Sequence, residues 1–230
     1  MSAGGELWAL VPLKRFGTAK GRLAPLLSGA ERASLTRAMA DDVLAALAAA
    51  PCVTRMAVVT ADPAAARLAE ERGADALPET ASGLVGALVA AVATLRGAGC
   101  RHLCILPGDV PRVHGADLER LWRIHGCGRH SGRVTLVPDA RGRGTNALLL
   151  SPPDAIPLCY GADSAPAHLT AALAAGVAAT SLAVPGLALD VDTPEDLLAL
   201  QAAGDAPASV AFLESSGIAS RVRGATGRGS

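Results

Sequence analysis

LVPLKRFGTAKGRL, Leu10 to Leu23, joins an apolar run to a cationic loop. Leu7 to Val11 reads as a buried first strand. The chain passes from it straight to Lys14, Arg15, Lys20 and Arg22, with Gly17 and Gly21 between them. In open α/β sheets, ligands bind beyond the carboxyl ends of the strands. Glycine lets backbone N–H groups approach phosphate oxygens, while Lys and Arg supply the countercharge. Four cations at that edge suit a polyphosphate; taken alone, they equally suit a solvated basic loop.

Downstream, strand-like runs alternate with helical patterns. Ser28 and Glu31 have capping-box spacing, and Leu35, Met39, Val43 and Leu47 recur every four residues on one helix face. Met56 to Thr60 reads as a second strand, and Asp62-Pro63 opens a helix. Asp75 to Leu77 reads as a short strand, Leu84 to Leu95 as a helix, His102 to Leu106 as a buried strand and Ala116 to His125 as a helix. Arg133 to Val137 and Asn146 to Leu150 read as strands flanking the loop DARGRGT. Helices follow Asp163 and Thr193. This alternation predicts a single α/β domain over residues 1–203, with a mostly parallel sheet and right-handed crossovers. After Gly204 the chain is rich in Gly, Ser and Ala, and residues 204–230 are expected to form a mobile tail.

Three carboxylates close apolar runs. Asp190 and Asp192, in LALDVDTP, are two apart, so in a strand they share one face. Thr193 then reads as an N-cap and Pro194 as the first helical residue. Asp109 ends LCILPGD. Each reads equally as a turn or cap residue. Together with the cationic loop they suggest Mg²⁺, or Mn²⁺, plus a nucleotide, because Mg²⁺ takes one or two carboxylates with phosphate oxygens and water. The hairpin loop Asp139 to Thr145, with Arg141 and Arg143, reads as a flexible tip or as an anion clamp.

These residues carry a family resemblance. VPLKRFGTAKGRL, ERASLTRAMADDVL, LPGDVP, GRGTNALLLSPP, YGADSAPAH and LALDVDTPEDL occur in family order from about Leu7 to Leu200. The chain resembles the guanylyltransferases of coenzyme F(420) biosynthesis, which act on 2-phospho-L-lactate or phosphoenolpyruvate. The resemblance implies a Rossmann-like nucleotidyltransferase fold of GT-A-like type, a mostly parallel mixed sheet flanked by helices. It implies attack of a phosphorylated three-carbon acid on GTP with release of pyrophosphate. In that frame Lys14, Lys20 and Arg22 bind the GTP phosphates, and Lys20 and Asp109 are catalytic. Asp109, Asp190 and Asp192 hold the metal. Thr145, Gly161 and Ser164 match the positions that hold the acid. His168 is a poor base candidate, because a phosphate nucleophile is already ionised near neutral pH. Where the family often has Asn and Phe, this chain has Val85 and Ala165, and it adds Asp163. These departures bear on the acceptor and make 3-phospho-D-glycerate a contender.

Two other classes stand beside this reading: a GT-A-type glycosyltransferase using a nucleotide sugar, and a non-catalytic nucleotide-binding regulator. The cation count of the first loop favours a triphosphate over a nucleotide sugar. A net charge of zero and only 2% aromatic residues argue against a nucleic-acid partner. The N-terminus lacks the pattern of a signal peptide. Leu169 to Leu189 is uncharged, yet Gly176, Pro185 and Gly186 interrupt it, so it reads as helix, turn and strand rather than a membrane span. A soluble cytoplasmic protein is expected. The five cysteines, Cys52, Cys100, Cys104, Cys127 and Cys159, form no CxxC pair and are expected to be reduced. The histidines His102, His114, His125 and His130 show no ligand spacing.

Overall fold

The computed structural model of the chain describes residues 6–126 and 132–226. Cys127 and His130 lie outside the described residues. Seven strands form one mixed sheet in the order β3-β2-β1-β4-β6-β5-β7. They are β1 (Leu7–Leu13), β2 (Val53–Thr60), β3 (Asp75–Pro78), β4 (His102–Ile105), β5 (Arg133–Pro138), β6 (Thr145–Ser151) and β7 (Ala178–Ser181). Strand β6 runs antiparallel to both of its neighbours, β4 and β5, and the other pairings are parallel.

The helices are α1 (Gly29–Ala48), α2 (Pro63–Glu71), α3 (Gly83–Gly97), α4 (Gly115–His125), α5 (Ser164–Ala174), α6 (Pro194–Ala203), α7 (Pro207–Ser215) and α8 (Ile218–Thr226). Helix α1 begins at a complete capping box, Ser28 with Glu31, and α6 at another, Thr193 with Asp196. Asp62 caps α2 ahead of Pro63. No helix among the described residues is long and apolar enough to cross a membrane.

Helices cover both faces of the sheet, which explains the unbroken apolar run of β1. Leu7, Ala9, Val11 and Leu13 face one core with α1, α2 and α4, while Trp8 and Leu10 face a second with α3 and α5. A third cluster joins Leu23 and Leu27 to Leu35 and Met39 of α1, Val191, and Leu197, Leu213, Ile218 and Val222 of the last three helices. The stripe that reads as one face of α1 is thus divided. Leu35 and Met39 enter the third core; Val43 and Leu47 enter the first.

The segment expected as a mobile tail contains two helices among the described residues. Residues 207–215 and 218–226 are helical, and Leu213, Ile218 and Val222 are fully buried. The few apolar residues of this segment are spaced to face α1 and α6, and composition alone conceals that spacing. Helix α7 has no side-chain cap of its own. Its first N–H groups go instead to Asp42 of α1, which accepts from Ala208 at 2.8 Å and Ser209 at 2.9 Å. We expect Asp42→Ala to lose about 1–3 kcal/mol, the cost of stranding buried donors. Urea unfolding measures the loss, and limited proteolysis should cut the variant first after Gly204.

Candidate active site

The basic loop is built between apolar anchors. Phe16 and Leu23 are buried, and the N–H of Phe16 donates to Asp62 at 2.8 Å. Asp62 therefore ties the loop to the end of β2 as well as capping α2. Between the anchors the chain makes two 3₁₀ turns, Phe16–Thr18 and Gly21–Leu23. Lys20 sits at their junction with φ 56° and ψ 45°, the only non-glycine residue of positive φ among the described residues. That left-handed conformation costs about 1–2 kcal/mol for a residue with a Cβ. It aims the side chain inward, where only 6% of it stays exposed.

The Lys20 ammonium lies 2.6 Å from Asp109 and 2.8 Å from Asp192. Burial, the largest single influence, disfavours its charge, but the two carboxylates together outweigh it and raise its pKa. Asp192 is lowered: burial opposes this, and Lys20, Arg22 and Lys14 overcome it. Asp190 is raised, first by burial and then by Asp109. Asn146 Nδ2 donates to it at 3.4 Å.

The strand expected at LALDVDTP is absent. Pro185–Leu187 forms a 3₁₀ turn, and residues 188–193 are irregular. Alternation survives locally, because Val191 is buried between the two aspartates and its N–H donates to the Asp109 carbonyl at 3.1 Å. Asp109 reaches the site on the loop after β4, whose Gly108 leaves no room for a side chain. A Cβ there would stand 2.2 Å from Leu13 Cδ2.

Three clefts run in series. An outer one of about 330 Å³ is lined by Lys14, Arg15, Thr18, Glu79, Gly83 and Leu84. The middle one, about 380 Å³, shares Lys14, Thr18 and Leu84 and adds Lys20, Gly21, Gly108, Asp109 and Asp192. The inner one, about 290 Å³, shares Asp192 and adds Arg22, Asp139, Arg141, Gly161 and Asp190. Thr18 and Glu79 carry no motif signal that marks them as site residues, and Leu84 and Asp139 stand only within segments read for other residues.

Of the three expected acceptor residues, only Gly161 lines the inner cleft. Thr145 and Ser164 are buried. The Thr145 hydroxyl meets His168 Nδ1 at 3.1 Å, and His168 Nε2 accepts from the Cys159 N–H at 2.9 Å. With Nε2 an acceptor, Nδ1 carries the proton and donates to Thr145. Burial lowers the His168 pKa to about 4. With both ring nitrogens occupied, His168 positions β6 against α5 and is not a base. The hairpin tip is built rather than loose. Asp139 accepts from the N–H groups of Arg141 and Arg143. The Arg143 side chain is paired with Asp163 at 2.7 Å. His102 and His125 share the Ser151 hydroxyl, each at 2.7 Å, inside the fold.

The family described as "Guanylyl transferase CofC like" matches residues 7–228. The chain belongs to this family. It is therefore a nucleotidyltransferase, and guanylyl transfer is its chemistry. This guanylyltransferase is 44% identical over 198 residues to phosphoenolpyruvate guanylyltransferase of Conexibacter woesei, covering 84% of this chain and 86% of the relative. It is 35% identical over 188 residues to 3-phospho-D-glycerate guanylyltransferase of Colwellia psychrerythraea, covering 82% and 88%. A nucleotidyl transferase from Methanothermobacter thermautotroptrophicus superposes with a TM-score of 0.61 at 19% identity, over 92% of this chain and all of that one (100%). The guanylyltransferase thus has the Rossmann-like nucleotidyltransferase fold, with a mixed sheet flanked by helices.

Among the described residues no three His, Cys, Asp or Glu side chains form a ready cage for a metal. The expected three-carboxylate centre is not pre-assembled, because Lys20 lies between Asp109 and Asp192. The donor chemistry of the guanylyltransferase nonetheless fits a hard divalent cation. Burial first, and then the charges of Asp109 and Asp192, raise the Asp190 pKa, and a bound cation would relieve that penalty on the ionised form. Because the raised pKa penalises ionised Asp190 only in the folded protein, stability is lost as pH rises through that pKa. We expect Asp190→Asn to raise Tm by about 1–3 °C at neutral pH, with the gain vanishing below the ordinary carboxylate range. Paired melting curves of the metal-free proteins across pH give the comparison; a gain independent of pH speaks against an electrostatic origin.

Proposed function

We propose that the enzyme joins GMP from GTP to a phosphorylated three-carbon acid, releasing pyrophosphate, as a step of coenzyme F(420) biosynthesis. The observation that carries this reading is the order of the clefts: an outer one walled by Glu79, Gly83 and Leu84, a middle one with Lys14, Lys20, Asp109 and Asp192, and an inner one with Arg22, Arg141 and Gly161. The outer cleft takes the nucleoside, and the Glu79 carboxylate at its wall suits the amino edge of guanine. Lys14, Lys20 and Arg22 bind the triphosphate. The inner cleft takes the acid, with the Gly161 backbone and the Arg22 and Arg141 guanidinium groups meeting its anionic ends. Thr145 and Ser164 shape the wall behind. Relatives named for phosphoenolpyruvate and for 3-phospho-D-glycerate support this acceptor class.

An acceptor phosphate oxygen forms a bond to the α-phosphorus of GTP, and the bond to the bridging oxygen of pyrophosphate breaks. The nucleophile is already an anion, so the protein's task is in-line placement and relief of repulsion between two anions. Lys20 stabilises charge on the phosphoryl oxygens, and Lys14 and Arg22 hold the flanking phosphates. Asp109, Asp190 and Asp192 would hold Mg²⁺ or Mn²⁺, which neutralises phosphoryl charge when bound.

The test is pyrophosphate release from GTP with phosphoenolpyruvate, 3-phospho-D-glycerate and 2-phospho-L-lactate. We expect turnover of more than one acid, dependence on Mg²⁺ or Mn²⁺, and loss of about a hundredfold or more in Asp192→Asn. Absence of turnover with all three acids would defeat the acceptor assignment, and full activity in EDTA would defeat the metal. A second measurement isolates the nucleotide side. Lys14→Ala should raise the KM for GTP about tenfold while the melting temperature stays within about 1 °C, because the side chain is exposed.

A further inference from the structure

Nineteen of the 21 basic residues of this chain are arginine, and its two lysines are Lys14 and Lys20. Lysine thus occurs only in the loop after β1, and one of the two is the buried cation of the site. A guanidinium is a flat fork, whereas an ammonium is a compact point charge with three donors. The compact group places a single charged atom between Asp109 and Asp192, 2.6 Å and 2.8 Å from their oxygens, where a guanidinium would spread its charge over three nitrogens. That is also the position a cation bridging these carboxylates would occupy. A Mg²⁺ ion bound to both would need oxygens at about 2.0–2.1 Å. It could not share that space with a second positive charge.

We propose that Lys20 is a resident counter-ion, whose ammonium holds Asp109 and Asp192 together until a divalent cation displaces it onto the nucleotide. The displaced ammonium has somewhere to go. Lys20 lines the same cleft as Lys14 and Gly21, the cleft assigned to the triphosphate. Gly21 beside it would meet nothing within 4 Å even with a Cβ, so the turn has room to adjust. Metal alone binds weakly, because it must strip a buried ammonium of both partners. Metal and nucleotide load together, because the phosphates receive the cation that the metal expels. The joint loading rests on the nucleotidyl-transfer reading; the weak binding of metal alone does not.

The test uses the nucleotide-free protein. Mn²⁺ binding is followed by electron paramagnetic resonance in the wild type, Lys20→Met and Lys14→Ala. Lys20→Met should bind Mn²⁺ at least about tenfold more tightly than the wild type, a gain of about 1.4 kcal/mol. Lys14→Ala removes a nearby charge without vacating the position, and it should change affinity less than about threefold. If Lys20→Met gains no more than Lys14→Ala, the proposal falls. A measurement on the unmodified protein covers the case in which Lys20→Met folds poorly. Acylation of lysine amines, read by mass spectrometry, should be slow at Lys20 and fast at exposed Lys14. Adding Mg²⁺ without nucleotide, at a concentration that displaces bound Mn²⁺ from the protein, should speed acylation of Lys20 several-fold relative to Lys14. An unchanged ratio overturns the proposal. Neither readout needs turnover, so failure of the activity assay and failure of this inference remain separate results.

Discussion

One buried ammonium, Lys20, holds three distant stretches of chain to a common point. Its partners Asp109 and Asp192 lie 89 and 172 residues away in sequence. An ammonium taken from water costs several kcal/mol unless it is well paired, so the position is tolerable only when both carboxylates are delivered. The sheet delivers the first, since β1 and β4 pair in parallel and their carboxyl ends open on the same edge. Delivery of the second depends on Val191, whose burial fixes the height of Asp192 and whose N–H binds the Asp109 carbonyl. The left-handed backbone of Lys20 is the local strain that this arrangement sustains.

The elements of the fold were legible wherever their signals were local. Capping boxes, the Asp62-Pro63 start and the double-sided apolar run of β1 each report on a few neighbouring residues. The irregular segment at Asp190 and Asp192 was not legible as such. Its alternation of exposed and buried residues is shared by strands and by extended loops, and sequence gives no sign that no partner strand stands beside it. The last helices were hidden for a different reason. Their apolar residues are sparse, and they pack on the surface that α1 and α6 offer, with Asp42 capping α7.

Site residues divide in the same way. Lys14, Lys20, Arg22 and the three aspartates stood out by charge against apolar runs. Thr145 and Ser164 matched a motif, but a motif does not say whether a hydroxyl faces the cleft or a buried histidine; in this fold His168 takes the Thr145 hydroxyl. Of the two hairpin arginines, Arg143 is paired with Asp163, a residue twenty positions on, and Arg141 lines the cleft. That division of labour is a tertiary fact. The lysine–arginine split, by contrast, was open to inspection in the composition and marks the same loop independently of any motif.

The third core gives this architecture an order of assembly. Leu23 of the cationic loop and Val191 beside the aspartates rest on the same cluster as Leu213, Ile218 and Val222. During synthesis the sheet can close once β7 has emerged, but the platform beneath the two halves of the site is still missing. It arrives only with α7 and α8. A chain made only as far as β7 therefore holds the strands of the sheet without the platform beneath its cleft.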